Sequence, residues 1–389
     1  VEQQKLQIGQ EIDSLADELF AVSDFLLKNP ETAYQEYKAC EHLSGVLERN
    51  GFEVQRGVGN VETSFLARPA GCTPSRPTVA LLAEYDALPK IGHGCGHNLI
   101  AAAGLGAAIA LRRVLKDAAG SIALVGTPAE EGGGGKVRLA EAGVFDEMDA
   151  SMMFHPSALT ITGKGMLGRI KFKIEFFGRS AHASGTPDKG INALDALIQT
   201  FNSINAFRQH MRADGRIHGI ITDGGDAPNI IPDYSAGLFY VRAGSIEYRD
   251  ELLEKVEQCC KGASLATGAE YKIEVNPPVL DPMKRNPSLE AAAASNLKAL
   301  GVSIDPDDGR RGSSDMGNLS HYLPSVHPWI AIVEPGIAGH TTEFRDATTS
   351  DRARQTLLNA SKMLAMTALD FITSPELREN AARDFSESK

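Results

Sequence analysis

Between positions 93 and 97 the chain reads His-Gly-Cys-Gly-His, a thiol set between two imidazoles in a glycine-rich turn. Cys95 and His97 are spaced i, i+2, so both side chains can turn toward one ion. A thiolate and an imidazole are good donors for zinc or a similar divalent metal. Gly92, Gly94 and Gly96 let the backbone fold closely around such a site. The same residues also describe a flexible loop with a buried thiol, and His93 reads as a loop residue or a support for a ligand. A second group is "TPAEEGGGG", residues 127–135. The adjacent carboxylates of Glu130 and Glu131 repel, so burying both requires positive charge nearby, which a metal supplies. One can bind the ion while its neighbour holds a water as general base; a solvated acidic loop is the alternative. His155 closes the apolar run in "MMFHP", and His340 sits in the glycine-rich "GIAGHTTEF". Each histidine alone could be structural. Together Cys95, His97, Glu131, His155 and His340 are enough donors for two metals sharing a bridging ligand.

These residues are carried by four short apolar runs that end abruptly in polar chemistry: "TVALLA" (78–83), "SIALVGT" (121–127), "ASMMFH" (150–155) and "WIAIVE" (329–334). Helical segments, Leu99 to Lys116 and about Lys136 to Ala142, separate the first three. Buried strands alternating with helices predict an α/β fold with a mainly parallel sheet and helices on both faces. Sites in such sheets form beyond the carboxyl ends of the strands. Those ends carry Glu84 and Asp86, then Glu130 and Glu131, then His155, with His340 after a later turn.

From about 168 to 279 the texture changes. "RIKFKIEFF" and "SAGLFYVRA" alternate as half-buried strands, and "INALDALIQTFNSINAF" has helical apolar spacing. The order β-α-β-β-α-β is that of a ferredoxin-like α+β domain. The expected organisation is a discontinuous domain of residues 1–167 and 280–389, interrupted by residues 168–279. The polar end, "SPELRENAARDFSESK", reads as a frayed tail.

Composition narrows the function classes. A net charge of −11 over 389 residues argues against nucleic acid or an anionic membrane as partner. The apolar segment Leu99 to Leu111 is too short and alanine-rich for a membrane span and reads as a buried helix. Five scattered cysteines suit a reducing compartment, and no signal peptide is visible, so a cytoplasmic location is expected. Phosphate-loop readings fail: Leu99 occupies the third glycine position of a dinucleotide fingerprint, and Lys136 is not followed by Ser or Thr.

Taken in order, "NPETAYQEYKA", "EYDALP", "GHGCGHN", "TPAEE", "MFHP", "RSAHAS", "GGDAPNIIPDYSAGLFYVR", "GSSDMGNLSHYLP" and "GHTTEF" resemble the signatures of peptidase family M20, subfamily D, the aminoacylase and carboxypeptidase group. Glu84 and Asn98 stand where many members have Asp, a departure that points to the branch of dipeptidases and aminobenzoyl-glutamate hydrolases. The resemblance implies a zinc-peptidase-like catalytic domain with an inserted lid and dimerisation domain. It implies two divalent ions (zinc, manganese or cobalt), with Cys95 as bridging thiolate and His97, Glu131, His155 and His340 completing the set. Glu130 would be the catalytic base, and Asp86 the carboxylate that orients a ligand. His182 would reach the reacting carbonyl across a homodimer. Asn229 and Arg242 would hold the substrate carboxylate, a duty that suits the arginine fork. The implied substrate is a dipeptide, with Lys, ornithine or Arg at its end, or an N-acyl or aminobenzoyl amino acid. A non-catalytic regulatory protein on the same fold is the remaining alternative.

Overall fold

Runs of small and branched residues become strands buried on both faces when helices cover the sheet. The computed structural model describes residues 1–74, 76–116 and 121–388. Its strands in chain order are β1 (Phe52–Arg56), β2 (Phe65–Pro69), β3 (Val79–Ala83), β4 (Ile122–Gly126), β5 (Ala150–Met152), β6 (His155–Ser157), β7 (Gly168–Phe177), β8 (Arg216–Asp223), β9 (Tyr234–Ala243), β10 (Glu270–Leu280), β11 (Ser325–Val326) and β12 (Trp329–Ala331). The chain divides into two units. One comprises Val1–Gly165, Met283–Arg311 and Asn318–Lys389; the other Met166–Pro282 and Gly312–Gly317.

The first unit is built on a sheet of order β1-β2-β4-β3-β5-β11. The β4–β3, β3–β5 and β5–β11 pairs are parallel, whereas β1–β2 and β2–β4 are antiparallel. All residues of β3 and β4 are buried. Helix His97–Leu115 lies against these two strands and against helices Glu2–Ser14, Ala16–Lys28 and Asp351–Thr373. By length and composition it could cross a bilayer. Here it is a core element, buried at every position except Arg112, Arg113 and Val114. Its alanines and leucines favour helix, and Gly104 lets it approach β3, since a Cβ there would stand 2.4 Å from the Leu82 carbonyl oxygen.

Several expectations are corrected. The helix begins at His97 rather than Leu99, because Gly96 takes the left-handed φ of 75° that only glycine adopts freely and turns the chain straight into it. The run at 329–334 does not extend the main sheet. Its first residues form β12, which pairs with β6 in a separate two-stranded sheet, and β11 takes the place beside β5. The polar end is helical over Pro375–Glu387: Ser374 caps it by accepting from the Leu377 amide, with proline in the first turn. It is docked where Asn286 Nδ2 donates to the Ala381 carbonyl.

In the second unit β7 to β10 form an antiparallel sheet of order β10-β7-β9-β8. Strand β7 alternates buried and half-buried residues along almost its whole length. Ile170, Phe172, Ile174, Phe239 and Val241 face helices Ala193–Arg208 and Ile246–Thr267, where they meet Leu197, Leu252 and Val256. Asn192 and Ser245 cap those helices. The strand order and β-α-β-β-α-β course are ferredoxin-like.

Candidate metal centre

Strand β3 ends at Ala83, and the next residues deliver two buried carboxylates, Glu84 and Asp86, on either side of buried Tyr85. The Tyr85 hydroxyl donates to the Thr63 carbonyl at 2.6 Å, which fixes the intervening ring. His97, the first residue of its helix, faces Asp86. Its Nδ1 lies 2.9 Å from the Asp86 carbonyl oxygen and 3.1 Å from Oδ1. Both partners only accept, so Nδ1 carries the hydrogen and Nε2 is left as a donor atom for a metal.

Nε2 of His97 is buried and makes no hydrogen bond, and the same holds for Glu131 Oε1, 3.9 Å away. Burial alone would lower the His97 pKa, yet the carboxylates of Glu84 and Asp86 hold it well above the ordinary histidine range. The two buried carboxylates thus favour positive charge beside this ring. For Asp86, burial works upward, but the contact with His97 and the Glu131 amide bring its pKa below the usual range.

Cys95 is buried at the preceding turn, and burial pushes its thiol pKa upward. One donor atom each from Cys95, His97 and Glu131 lie within 4.8 Å of one another, as do donors from Glu84, His97 and His155. The His155 ring stacks on Trp329 (centroids 4.3 Å apart) and stands edge-on to His97 at 5.9 Å. Its Nδ1 donates to the Pro156 carbonyl at 2.7 Å, leaving Nε2 as the donor atom. Burial pushes the His155 pKa down to about 3, keeping the ring neutral. His340, in a left-handed conformation (φ 64°), donates its amide to the Gly94 carbonyl at 2.9 Å. Its Nε2 lies 3.8 Å from Glu131 Oε1. Sulfur, imidazole and carboxylate donors with two orphaned buried atoms fit borderline-soft divalent ions.

Glu130 and Glu131 follow Ala129, which takes a left-handed φ of 62°. The carboxylate of buried Glu36 steadies that turn, Oε1 accepting from the Ala129 amide at 2.9 Å and Oε2 from the Thr63 hydroxyl at 2.8 Å. Glu130 is half-buried on the same loop.

His182, Asn229 and Arg242 belong to the second unit. The Asn229 carbonyl accepts from the Ala183 amide at 3.0 Å, joining the loops of His182 and Asn229. The exposed His182 ring accepts from the Gly185 amide at Nδ1 (3.1 Å), so in the neutral ring the hydrogen sits on Nε2. Arg242 is directly opposite Arg169 across the β7–β9 pair. The Nε atoms of both are buried without a hydrogen-bond partner, and burial followed by the charge of Arg169 lowers the Arg242 pKa. Two like charges in register call for an anion.

Three further residues are given no role by sequence reasoning. Glu84 stands at a strand end with no part assigned to it, Lys136 suggests only a failed phosphate loop, and Arg169 carries no signal beyond its place on an alternating strand. Lys136 is fully buried and forms an ion pair with Glu84. His327 is also buried, its ring 5.7 Å from that of His155.

The family model for peptidase family M20/M25/M40 matches residues 80–365. Xaa-Arg dipeptidase of Mus musculus is 37% identical over 397 residues, covering 98% of this chain and 92% of that protein. A p-aminobenzoyl-glutamate hydrolase polypeptide of Escherichia coli K12 is 34% identical over 63% of this chain and 55% of its own length. Two solved structures share the fold. The YXEP protein of Bacillus subtilis, a dinuclear metal binding peptidase from the M20 family, gives a TM-score of 0.73 at 21% identity, with 92% of this chain and 99% of that one covered. An aminobenzoyl-glutamate utilization protein from Klebsiella pneumoniae gives 0.68 at 19% identity, covering 94% and 98%. The family match takes in most of the sequence and the dipeptidase likeness nearly all of it: the chain belongs to peptidase family M20/M25/M40 and is a metal-dependent hydrolase.

Proposed function

We propose that this hydrolase cleaves the amide bond of a dipeptide whose carboxyl-terminal residue is basic. The observation that carries the hydrolytic reading is the buried pair His97 Nε2 and Glu131 Oε1, both without hydrogen bonds, with Glu130 the residue preceding Glu131. Near-full-length identity with an Xaa-Arg dipeptidase favours the basic residue. Cys95, His97, Glu131, His155 and His340 would hold two divalent ions, zinc, manganese or cobalt. Such ions supply Lewis acidity and lower the pKa of a bound water toward about 7.

The chain's own groups do the rest. Glu130 takes the proton from the attacking water and returns it to the departing amine nitrogen. His182, with its hydrogen on Nε2, donates to the oxygen of the reacting carbonyl as negative charge develops there. Arg242 holds the substrate carboxylate with its fork, and Asn229 assists. We assign the second unit the part of lid and dimerisation domain, with His182 acting in the partner's site, and place the protein in the cytoplasm.

A second reading, an aminoacylase or aminobenzoyl-glutamate hydrolase, is favoured by the 34% identity with the bacterial hydrolase. Metal content and turnover are to be measured on one preparation against dipeptides ending in Lys, ornithine or Arg, acetylated amino acids and aminobenzoyl-glutamate. Preference for the basic dipeptides is expected. Faster turnover of aminobenzoyl-glutamate or an acetylated amino acid would establish the second reading, and a metal-loaded protein inert on the whole panel would refute both.

A further inference from the structure

We propose that Glu84 is itself a metal ligand, sharing one ion with His97 and His155 while Lys136 fixes its carboxylate. The inference rests on the metal reading above and adds a residue to its donor set.

Glu84 Oε1 lies 3.1 Å from His97 Nε2, close enough for a hydrogen bond, yet Nε2 makes none. The oxygen therefore stands off the axis along which the ring would donate. Two ligands bound to one ion at about 2.0–2.2 Å, with an angle between square and tetrahedral, stand about 2.8–3.6 Å apart. The observed separation fits two atoms beside a shared cation. A donor of His155 lies within 4.8 Å of both, which makes a third ligand available.

Charge leads to the same place. Glu84 and Lys136 are 1% and 0% exposed. A buried ammonium next to two cations would repel them unless it were neutralised. Glu84 Oε2 takes Lys136, and Oε1 is turned toward His97. A carboxylate gripped at one oxygen by a buried cation has its other oxygen aimed, much as outer partners orient ligands at metal sites. Had Glu84 served only to neutralise Lys136, nothing would require Oε1 beside the nitrogen that the site leaves open.

The test uses the full-length protein loaded with zinc. In its crystal structure an oxygen of Glu84 is expected about 2.0–2.2 Å from the ion bound by His97 and His155; a separation beyond about 3 Å overturns the proposal. Zinc affinity is then compared between the wild-type protein and the double variant Glu84→Gln/Lys136→Met, which removes both charges together and leaves no unpaired ammonium. One ion should bind as in the wild type and the other more than about 100-fold more weakly, beyond what supporting residues alone contribute. Two ions bound with wild-type affinity would show that Glu84 only neutralises Lys136. If the double variant fails to fold, the wild-type crystal structure decides. A wild-type protein that binds no divalent ion defeats the metal reading itself, whereas two ions without Glu84 defeat only this inference.

Discussion

The Glu131 amide donates to Asp86 Oδ2 at 2.8 Å while Oδ1 of the same carboxylate lies 3.1 Å from His97 Nδ1. Asp86 thus sets the tautomer of one donor and the backbone position of another. Asp86→Asn should weaken metal binding about 10- to 100-fold, read by competition with a chromophoric chelator. Unchanged affinity would mean that the ring is oriented by the Asp86 carbonyl alone.

Glu130 directly precedes Glu131 in the chain and is half-buried. Glu130→Gln should lower kcat by about 10²- to 10⁴-fold and leave metal content intact. Steady-state kinetics with elemental analysis on the same sample checks both halves.

Arg242 faces Arg169 across the strand pair, two like charges suited to one anion. Arg242→Met should reduce kcat/KM by about 10- to 100-fold, the loss of one charge-assisted hydrogen bond of roughly 1.5–3 kcal/mol, chiefly through KM. The sharper measurement compares a dipeptide with its carboxyl-terminal amide: the wild-type preference for the free acid should shrink in the variant. An undiminished preference would place the carboxylate elsewhere.

Glu36 links stability to pH. Burial raises its pKa from 4.5 to about 7 against the opposing bond from Thr63. Between about pH 4.5 and pH 7 the folded chain keeps a proton that the unfolded chain has released, so this contribution is complete below that window and is lost as pH rises through it. The loss is on the order of 3 kcal/mol. Urea unfolding across the window should show that decline in the wild type and a flatter profile in Glu36→Gln.

Gly104 tests the core. Gly104→Ala would press a methyl group against the Leu82 carbonyl oxygen, 2.4 Å away, and should cost about 1–3 kcal/mol in unfolding free energy. Denaturant midpoints measure it.

Much of the site is legible in the sequence because strand ends announce themselves. Apolar runs that stop at Glu84, at Thr127 and at His155 can be read one at a time, and a parallel sheet carries those ends to one edge. The β-α-β-β-α-β course is legible for the same reason, since alternation and helical spacing are local. What stays hidden depends on pairing. Strands β1 and β2 are only five residues each, β1 largely polar and β2 interrupted by Arg68, and only their antiparallel addition beside β4 makes them part of the sheet. The separation of β12 from the main sheet is decided by its register with β6. The Glu84–Lys136 pair spans a helix and a strand between its members, so no spacing rule could join them. The terminal helix escapes because its polar composition masks the Ser-Pro start that caps it.

The amides of Ala129, Glu131 and His340 are each already engaged by the protein, through Glu36, Asp86 and the Gly94 carbonyl respectively. Each of these bonds joins protein atoms from different stretches of the chain. The loops that carry the donors are thus tied to one another by the backbone, so a disturbance of one loop is felt at the others.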